Sequence, residues 1–160
     1  MTIEKIYLTK ENLIKIKEID DIFYRNDITP LEWYLERLTP KHTGYIIKDN
    51  DKVVGYLVAV PIRKECYEAI IKGVIINDIY INPNMYVEKS KYHYIVSFVL
   101  LEEYRHKGIG TKLILQVIKK VEKGYYCALT ISQEGAALSK KFMKRKKQLN
   151  DNVAVFEIKL

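Results

Sequence analysis

The residues with the clearest chemical potential in this chain form a short basic turn that contains two glycines. The turn reads Arg105-His106-Lys107-Gly108-Ile109-Gly110, and an amphipathic helix pattern begins directly after it at Thr111. Backbone N–H groups at such a helix start can surround a phosphate, and the partial positive charge of the helix N-terminus strengthens the attraction. The turn therefore predicts a site for a phosphate-bearing ligand.

The spacing of the two glycines excludes two common phosphate-binding motifs. A Walker loop needs a glycine five positions before Gly110, and Arg105 stands there. It also needs a lysine before the hydroxyl residue, whereas Thr111 precedes Lys112 here. A dinucleotide-binding fingerprint needs a third glycine, which is missing, and it follows a strand near the start of the domain, whereas no early strand precedes this turn. The remaining pattern is Arg-x-x-Gly-x-Gly, which ends in Gly108 and Gly110.

The apolar periodicity predicts the elements that must position this turn. A long strand precedes it and a helix follows it, while the second helix of the chain should begin at Pro30 with Thr29 as its cap and Glu32 completing a capping box. The predicted strands are 3–9, 45–48, 52–60, 92–101, 125–132 and 152–160, and the predicted helices are 11–23, 30–38, 65–71, 111–123 and 134–147. Strands interleaved with helices indicate a mixed sheet covered by helices.

Composition and charge narrow the class of protein. Hydrophobic residues make up 48% and charged residues 29% of the 160 residues, which is typical of one soluble globular domain. No apolar run approaches the roughly 20 residues of a membrane span, and the N-terminus has no signal-peptide core. Two widely spaced cysteines favour a reducing cytoplasm. The net charge of +7 serves solubility or attracts a polyanion such as a nucleotide cofactor or a nucleic acid.

The turn and its flanking elements resemble the cofactor motif of the GNAT superfamily of N-acetyltransferases. The similarity is strongest over 97–121, where YRHKGIGTKLI follows a long strand, and it extends to the hairpin at 43–61 and to 125–142. The resemblance implies an α/β domain over residues 1–160, with a twisted, mixed, mostly antiparallel sheet of six to seven strands flanked by helices. It also implies an acyltransferase that moves an acetyl group from acetyl-CoA to a primary amine of a small molecule or peptide.

The same resemblance assigns the cofactor half of the site. Backbone N–H groups from Arg105 to Thr111 would cradle the pyrophosphate, and Gly108 and Gly110 would allow the close approach. The main chain of Val99 to Leu101 would pair with the pantetheine, and an N–H near Leu100 would polarise the acetyl carbonyl. The expected cofactor contacts are Val99, Leu100, Leu101, Arg105, His106, Lys107, Gly108, Ile109, Gly110, Thr111 and Gln133.

The catalytic half departs from the family pattern. Ser139 stands where family members often carry a tyrosine as the acid, and Gln133 lies near the usual helix-opening asparagine. His93 is a candidate base acting through a water, and the alternative is a partly exposed histidine at a strand end. Ser97 and Tyr94 point to opposite faces of the same strand, where either could line the acceptor channel or simply pack. The sequence therefore supports the cofactor site better than the catalytic groups.

Other reactive or charged residues have alternative interpretations. Cys127 lies in the middle of a predicted strand and is expected to be a buried, inert thiol. Cys66 could be a nucleophile, but the sequence ties no histidine or aspartate to it. The three histidines have no ligand spacing, so we expect no metal. The basic run 140–147 is predicted to be helical. Its charges either form a solvated face or attract the phosphates of a ligand.

Two further classes of function stay open beside the enzyme. A CoA-binding regulatory module would account for the missing tyrosine at Ser139. A basic nucleic-acid-associated protein would account for the net charge, although the chain has no recognised nucleic-acid-binding module. We expect no membrane partner, and a homodimer is left open.

Overall fold

Seven strands and five α-helices alternate along the chain in the computed structural model, which describes residues 1–24, 29–105 and 108–160. The strands follow the order β1-β2-β3-β4-β5-β7-β6 in a mostly antiparallel sheet, which confirms the predicted mixed α/β class. The strands are β1 (Thr2–Tyr7), β2 (Thr43–Asp49), β3 (Lys52–Pro61), β4 (Tyr92–Leu100), β5 (Tyr125–Thr130), β6 (Lys144–Gln148) and β7 (Ala154–Lys159). The helices are α1 (Lys10–Phe23), α2 (Leu31–Arg37), α3 (Lys64–Ile71), α4 (Ile109–Ile118) and α5 (Gln133–Ser139).

The elements divide between two compact units. Unit 1 comprises residues 1–60 and 97–120, and unit 2 comprises residues 61–96 and 121–160. None of the helices in the described part of the chain is long and apolar enough to cross a membrane.

In unit 1, an antiparallel sheet supports the segment that leads into the basic turn. β2 pairs with β1 on one side, with Ile47 opposite Ile3, and with β3 on the other. The apolar core of this unit includes Ile47 of β2, Val54 of β3, Leu100 of β4 and Leu113 of α4. Burial of these side chains holds the end of β4 and the start of α4 against the β2–β3 hairpin.

The two N-terminal helices also belong to unit 1. α1 begins after Thr9, whose hydroxyl accepts a hydrogen bond from the N–H of Asn12, and its apolar residues Leu13, Ile16 and Ile19 are buried. α2 begins at Leu31, so the prediction that Thr29 caps it is wrong. Pro30 has an extended backbone and is itself the N-cap, which moves Thr29 outside the capping position.

A close backbone approach in unit 1 joins β3 to β4 at Gly55. A Cβ atom placed on Gly55 would lie 2.5 Å from the carbonyl oxygen of Val99. Next to this contact, the N–H of Leu101 donates a hydrogen bond to the carbonyl of Val54 at 2.9 Å. The end of β4 is therefore held where only glycine fits on the neighbouring strand.

In unit 2, β5 lies between a parallel and an antiparallel neighbour. The parallel register with β4 runs from Tyr92 opposite Tyr125 to Ile95 opposite Ala128, while β7 pairs antiparallel with β5 and with β6. Ala128, Met143 and Phe156 form part of the apolar core of this unit.

The C-terminal basic run is a strand, so the predicted helix over 134–147 is wrong in its second half. α5 ends at Ser139, whose carbonyl accepts the N–H groups of Phe142 and Met143, and β6 follows from Lys144 to Gln148. All five residues of β6 are exposed at the edge of the sheet. Backbone hydrogen bonds with β7 hold this segment in the sheet, although its sequence has no apolar periodicity. Its exposed lysines disfavour pairing of this edge strand with another chain.

The helix after the basic turn is shorter than the predicted span of 111–123. α4 begins at Ile109 and ends at Ile118. The N–H of Lys120 then donates to the carbonyl of Val117, which tightens the last turn, so Gly124 lies beyond the helix end.

The contact at Gly55 predicts that Gly55→Ala destabilises the protein by about 2 kcal/mol, because the new methyl group must displace the backbone of Val99. Chemical denaturation monitored by circular dichroism measures the change. Gly110→Ala is the matched control, since its Cβ would meet only the Leu100 side chain at an ordinary 3.5 Å. Equal stability of the Gly55→Ala variant and the wild type would contradict the importance of this contact.

Candidate functional site

The turn between β4 and α4 opens the helix with a glycine in the left-handed conformation. Gly108 has a φ of 70° and is the N-cap of α4. The N–H of Lys112 donates to the carbonyl of Gly108 at 3.1 Å. The N–H groups of Ile109 and Gly110 precede that hydrogen bond, at positions where an α-helix supplies no acceptor of its own. Together with the helix dipole they form the kind of site that binds an anion.

Both glycines leave room beside the backbone. A Cβ atom on Gly108 would have no heavy atom within 4 Å, and one on Gly110 would meet only a methyl carbon of Leu100 at 3.5 Å. A phosphate can therefore approach the backbone directly. The predicted contacts His106 and Lys107 lie outside the described residues.

Arg105 connects the turn to the strand that precedes it. Its Nε donates a hydrogen bond to the carbonyl of Leu100 at 2.7 Å, and its guanidinium carbon lies 4.6 Å from the ring centroid of Phe23. The Arg105 side chain was predicted as a cofactor contact, and that role stays a prediction. In addition it holds the carbonyl of Leu100, a structural contact that the sequence did not predict.

The short 3₁₀ segment at 102–104 anchors the turn to the β2–β3 hairpin. The hydroxyl of Tyr104 donates to the carboxylate of Asp49 at 3.0 Å, and Lys52 forms an ion pair with Glu103 at 3.1 Å. The ion pair is exposed and adds little stability, but both contacts restrain the direction in which the chain leaves β4.

The end of β4 presents different backbone groups at its two edges. The carbonyl of Val99 faces Gly55, and the N–H of Leu101 is bonded to Val54, so both groups point to β3. Because successive residues of a strand direct their backbone groups to opposite edges, the N–H of Leu100 points away from β3. Of the three predicted pantetheine contacts, Leu100 is thus the one with its N–H on that other edge.

A buried carboxylate in unit 1 was missed by the sequence analysis. Asp20 of α1 is only 2% exposed, and it accepts hydrogen bonds from the hydroxyls of Tyr34, at 2.8 Å, and Tyr56. The hydroxyl of Tyr56 lies 3.0 Å from Oγ of Ser97 on β4. One signal was visible, because Asp20 shares the helical spacing of the buried residues Leu13 and Ile16.

Burial controls the ionisation of this group of side chains. Removal from water raises the pKa of Asp20 above its usual value, and the hydrogen bonds from Tyr56 and Tyr34 reduce this effect without cancelling it. Burial, followed by the nearby charge of Asp20, raises the pKa of Tyr56 well above its usual value. Tyr56 therefore stays protonated at neutral pH and donates to a carboxylate that binds protons more readily than an exposed aspartate.

The predicted base, His93, lies inside unit 2. Its side chain is 3% exposed, and its ring stacks on that of Tyr126 with centroids 4.4 Å apart. A Cβ atom on Gly124 would lie 3.1 Å from Nδ1 of His93, which shows how tightly the ring is enclosed. The alternative of a partly exposed histidine is therefore wrong. Burial lowers the pKa of His93 and keeps the imidazole neutral at pH 7.

Ser139 and Gln133 stand at opposite ends of α5, also in unit 2. Ser139 is the buried last residue of the helix, while Gln133 is its exposed first residue. Ser132 caps the helix by accepting the N–H of Gly135 at 3.0 Å. The roles predicted for Ser139 as acid and Gln133 as cofactor contact stay predictions.

Both cysteine side chains are buried in unit 2. Burial raises the pKa of Cys66 to about 11 and that of Cys127 well above its usual value. Both groups are therefore protonated thiols at neutral pH, which disfavours a nucleophilic Cys66 and agrees with an inert Cys127. Across residues 1–24, 29–105 and 108–160, no three histidine, cysteine or acidic side chains are grouped so that they could hold a metal ion.

A known protein family matches this chain in sequence, and known structures match it in fold. The model of the acetyltransferase (GNAT) family matches residues 11–143. Among solved structures, the loading GNATL domain of CurA from Lyngbya majuscula has a TM-score of 0.68 at 15% identity, with 99% of this chain and 98% of that chain covered. No curated protein matches the sequence.

Two further structures with the same fold contain an acyl-CoA. Arabidopsis thaliana NAA60 in complex with acetyl-CoA has a TM-score of 0.56 at 15% identity, covering 99% of this chain and 100% of that one. The GphF GNAT-like decarboxylase in complex with isobutyryl-CoA has a TM-score of 0.69 at 8% identity, covering 98% of both chains. At these identities the likeness establishes the fold.

The enclosure of His93 predicts a pH-dependent loss of stability. Because its pKa in the folded state lies below its ordinary value, the unfolded chain binds more protons between the two values, and stability falls as the pH drops through that window. Urea denaturation between about pH 5 and pH 7.5 should show a steeper decline for the wild type than for His93→Gln. Parallel curves for the two proteins would contradict this origin of the pH dependence.

Proposed function

Because this chain belongs to the acetyltransferase (GNAT) family, we propose that it transfers an acetyl group from acetyl-CoA to a primary amine of a small molecule or peptide. The observation that carries the proposal is the helix start after β4, where Gly108 leaves open space in front of the first N–H groups of α4. The acyl-CoA complexes of two structures with this fold support the choice of donor.

The described residues fit the phosphate end of acetyl-CoA. The N–H groups of Ile109 and Gly110 would bind the pyrophosphate, and Thr111 would add its hydroxyl to the same cradle. The charge of Arg105 would act from the rim of the turn, while its bond to Leu100 keeps the turn in place. This arrangement holds a phosphate through backbone groups and needs no metal ion.

The end of β4 fits the thioester part of the donor. The parallel register of β4 with β5 extends to Ile95, and β4 itself continues to Leu100. The pantetheine would pair with this continuing edge in the way that an added strand does. The N–H of Leu100 would then stabilise the negative charge that develops on the acetyl carbonyl oxygen.

The reaction requires a proton acceptor more than a proton donor. An alkyl amine has a pKa of about 10.4, so its nitrogen must lose a proton to attack, whereas a thiol of pKa about 8.5 leaves as a thiolate without much help. Ser139, in the position of the family's acid, would therefore contribute little. The net charge of +7 disfavours a polycationic amine as the acceptor.

We expect calorimetric titration to show binding of CoA and acetyl-CoA, and a panel of primary amines to release thiol from acetyl-CoA. A thiol reagent can follow the release in the native protein, because both of its own cysteines are buried. The amine-free reaction is the control for hydrolysis. The panel should include an amino acid, a peptide with a free N-terminus, an aminoglycoside and a polyamine.

The outcomes separate the enzyme from its alternatives. Thiol release with at least one amine supports the proposal. Tight CoA binding without thiol release from any amine would favour a regulatory CoA-binding module. Salt-sensitive retention of nucleic acid that CoA does not displace, without CoA binding, would overturn the proposal in favour of a nucleic-acid-associated protein.

The open space at the turn predicts that Gly110→Trp abolishes CoA binding in a folded protein. The new side chain would meet little protein near its Cβ and would fill the space assigned to the phosphates. Gly110 tests this better than Gly108, whose left-handed backbone would add strain to any substitution. Leu115→Trp on the exposed side of α4 is the control. Unchanged CoA affinity of the Gly110→Trp variant in calorimetry would contradict the phosphate assignment.

A further inference from the structure

The hydrogen bonds of Asp20, Tyr56 and Ser97 run in one direction, from β4 toward the interior of unit 1. An ionised carboxylate only accepts hydrogen bonds, so the single hydrogen of the Tyr56 hydroxyl must go to Asp20. In the 3.0 Å contact between Tyr56 and Ser97, the serine must then be the donor. The oxygen of Ser97 can still accept a hydrogen bond from a donor other than Tyr56.

The chain of hydroxyls leads from a partly exposed residue to a buried one. Ser97 is partly exposed on β4, whereas Tyr56 and Asp20 are buried. Ser97 lies one residue before Phe98 and three before Leu100, on the part of β4 that continues past its register with β5. The Oγ atom of Ser97, which can accept a hydrogen bond, thus lies on the strand to which the proposed function assigns the thioester. An N–H group of the substrate would be a suitable donor to this atom.

We propose that Ser97, Tyr56 and Asp20 form the relay that takes the proton from the attacking amine. The proposal rests on the proposed acetyl transfer. The ammonium first loses one proton to solvent, and the neutral amine attacks. As the nitrogen–carbon bond forms, a second amine proton passes to Oγ of Ser97, the serine proton to the hydroxyl of Tyr56, and the tyrosine proton to the carboxylate of Asp20. The carbon–sulfur bond breaks, and its electron pair leaves with the thiolate. Asp20 later returns the proton to solvent along the same path.

The surroundings of Asp20 suit a temporary proton carrier. Tyr34 on α2 and Tyr56 on β3 contact the carboxylate, and Asp21 and Lys17 on α1 are the nearby charges. Asp21 is paired with Lys17 at 2.6 Å, so the two charges largely offset each other. Burial dominates and raises the pKa of Asp20, which increases its readiness to accept a proton.

Ser97 is the catalytic residue of this relay, because it touches the substrate, while Tyr56 and Asp20 act through it. We expect Asp20→Asn to lower kcat by about 100-fold at pH 7, with CoA affinity unchanged, because an amide cannot accept the proton. The loss should shrink at high pH, where hydroxide can remove the proton instead. The adjacent Asp21→Asn is the matched control and should keep wild-type kcat.

Stability measurements separate this role from a structural one. Since the folded-state pKa of Asp20 is raised, its ionised form costs stability once the pH exceeds that value, and Asp20→Asn should unfold at no lower temperature than the wild type at pH 7. Lost activity in a variant of undiminished stability supports the relay. Lost activity together with a lowered unfolding temperature and no pH-dependent recovery would overturn it in favour of a structural role.

Two variants of Ser97 test the outer end of the relay, where substitution disturbs the interior least. Ser97→Ala should lower kcat as strongly as Asp20→Asn, and Ser97→Thr, which keeps a hydroxyl, should recover most of it. Wild-type kcat in Ser97→Ala or Asp20→Asn, while the wild type releases thiol, would overturn the relay alone. The absence of thiol release by the wild type with every amine would overturn the proposed function, and the relay with it.

Discussion

The contact between Gly55 and the carbonyl of Val99 is the constraint on which the candidate site depends. It holds the end of β4 at a distance from β3 that no side chain at position 55 would allow. The hydrogen bond from Leu101 to Val54 extends this attachment by one more residue. The N–H of Leu100 lies between these two contacts, so its direction is set by a strand end that cannot shift freely.

Side chains outside the sheet attach the residues that lead into the basic turn to their neighbours. Arg105 closes back on the carbonyl of Leu100, and Tyr104 binds the end of β2 through Asp49. Gly108 then turns the chain into α4 with a backbone angle that glycine adopts without strain. A phosphate site made of backbone N–H groups needs such support, because the groups act only when their directions are held constant.

The buried carboxylate of Asp20 is a second feature of unit 1, separate from the basic turn. Asp20 would be costly on the apolar face of α1 if it had no partners, and two tyrosine hydroxyls provide them. Because one of these hydroxyls also contacts Ser97, the stabilising bonds of the interior reach the strand to which the acetyl donor is assigned. The same contacts thus satisfy a buried group and give a serine on β4 a defined orientation.

The glycine turn and the presence of a helix at it were predictable from the sequence, since they depend on local residues, while the cofactor contacts assigned to them stay predictions. Gly108, Gly110 and the rest of α4 lie within a dozen positions, and a helix N-terminus needs no distant partner to present its N–H groups. The basic run near the C-terminus was misread for the opposite reason. Whether it forms a helix or a strand depended on β7, a partner that pairs with it only after the chain has turned back.

Side-chain chemistry between distant segments required the tertiary structure. Asp20, Tyr56 and Ser97 are separated by 36 and 41 positions, and no spacing rule connects them. His93 appeared suitable as a base by its residue type, yet packing against Tyr126 encloses it. The amino-acid sequence was sufficient for the family and for the presence of a helix at the glycine turn, although not for the bounds of that helix, because the turn is a local feature. Which side chains meet, and which of them are buried, follows from long-range packing, and burial determines how readily each one takes up a proton.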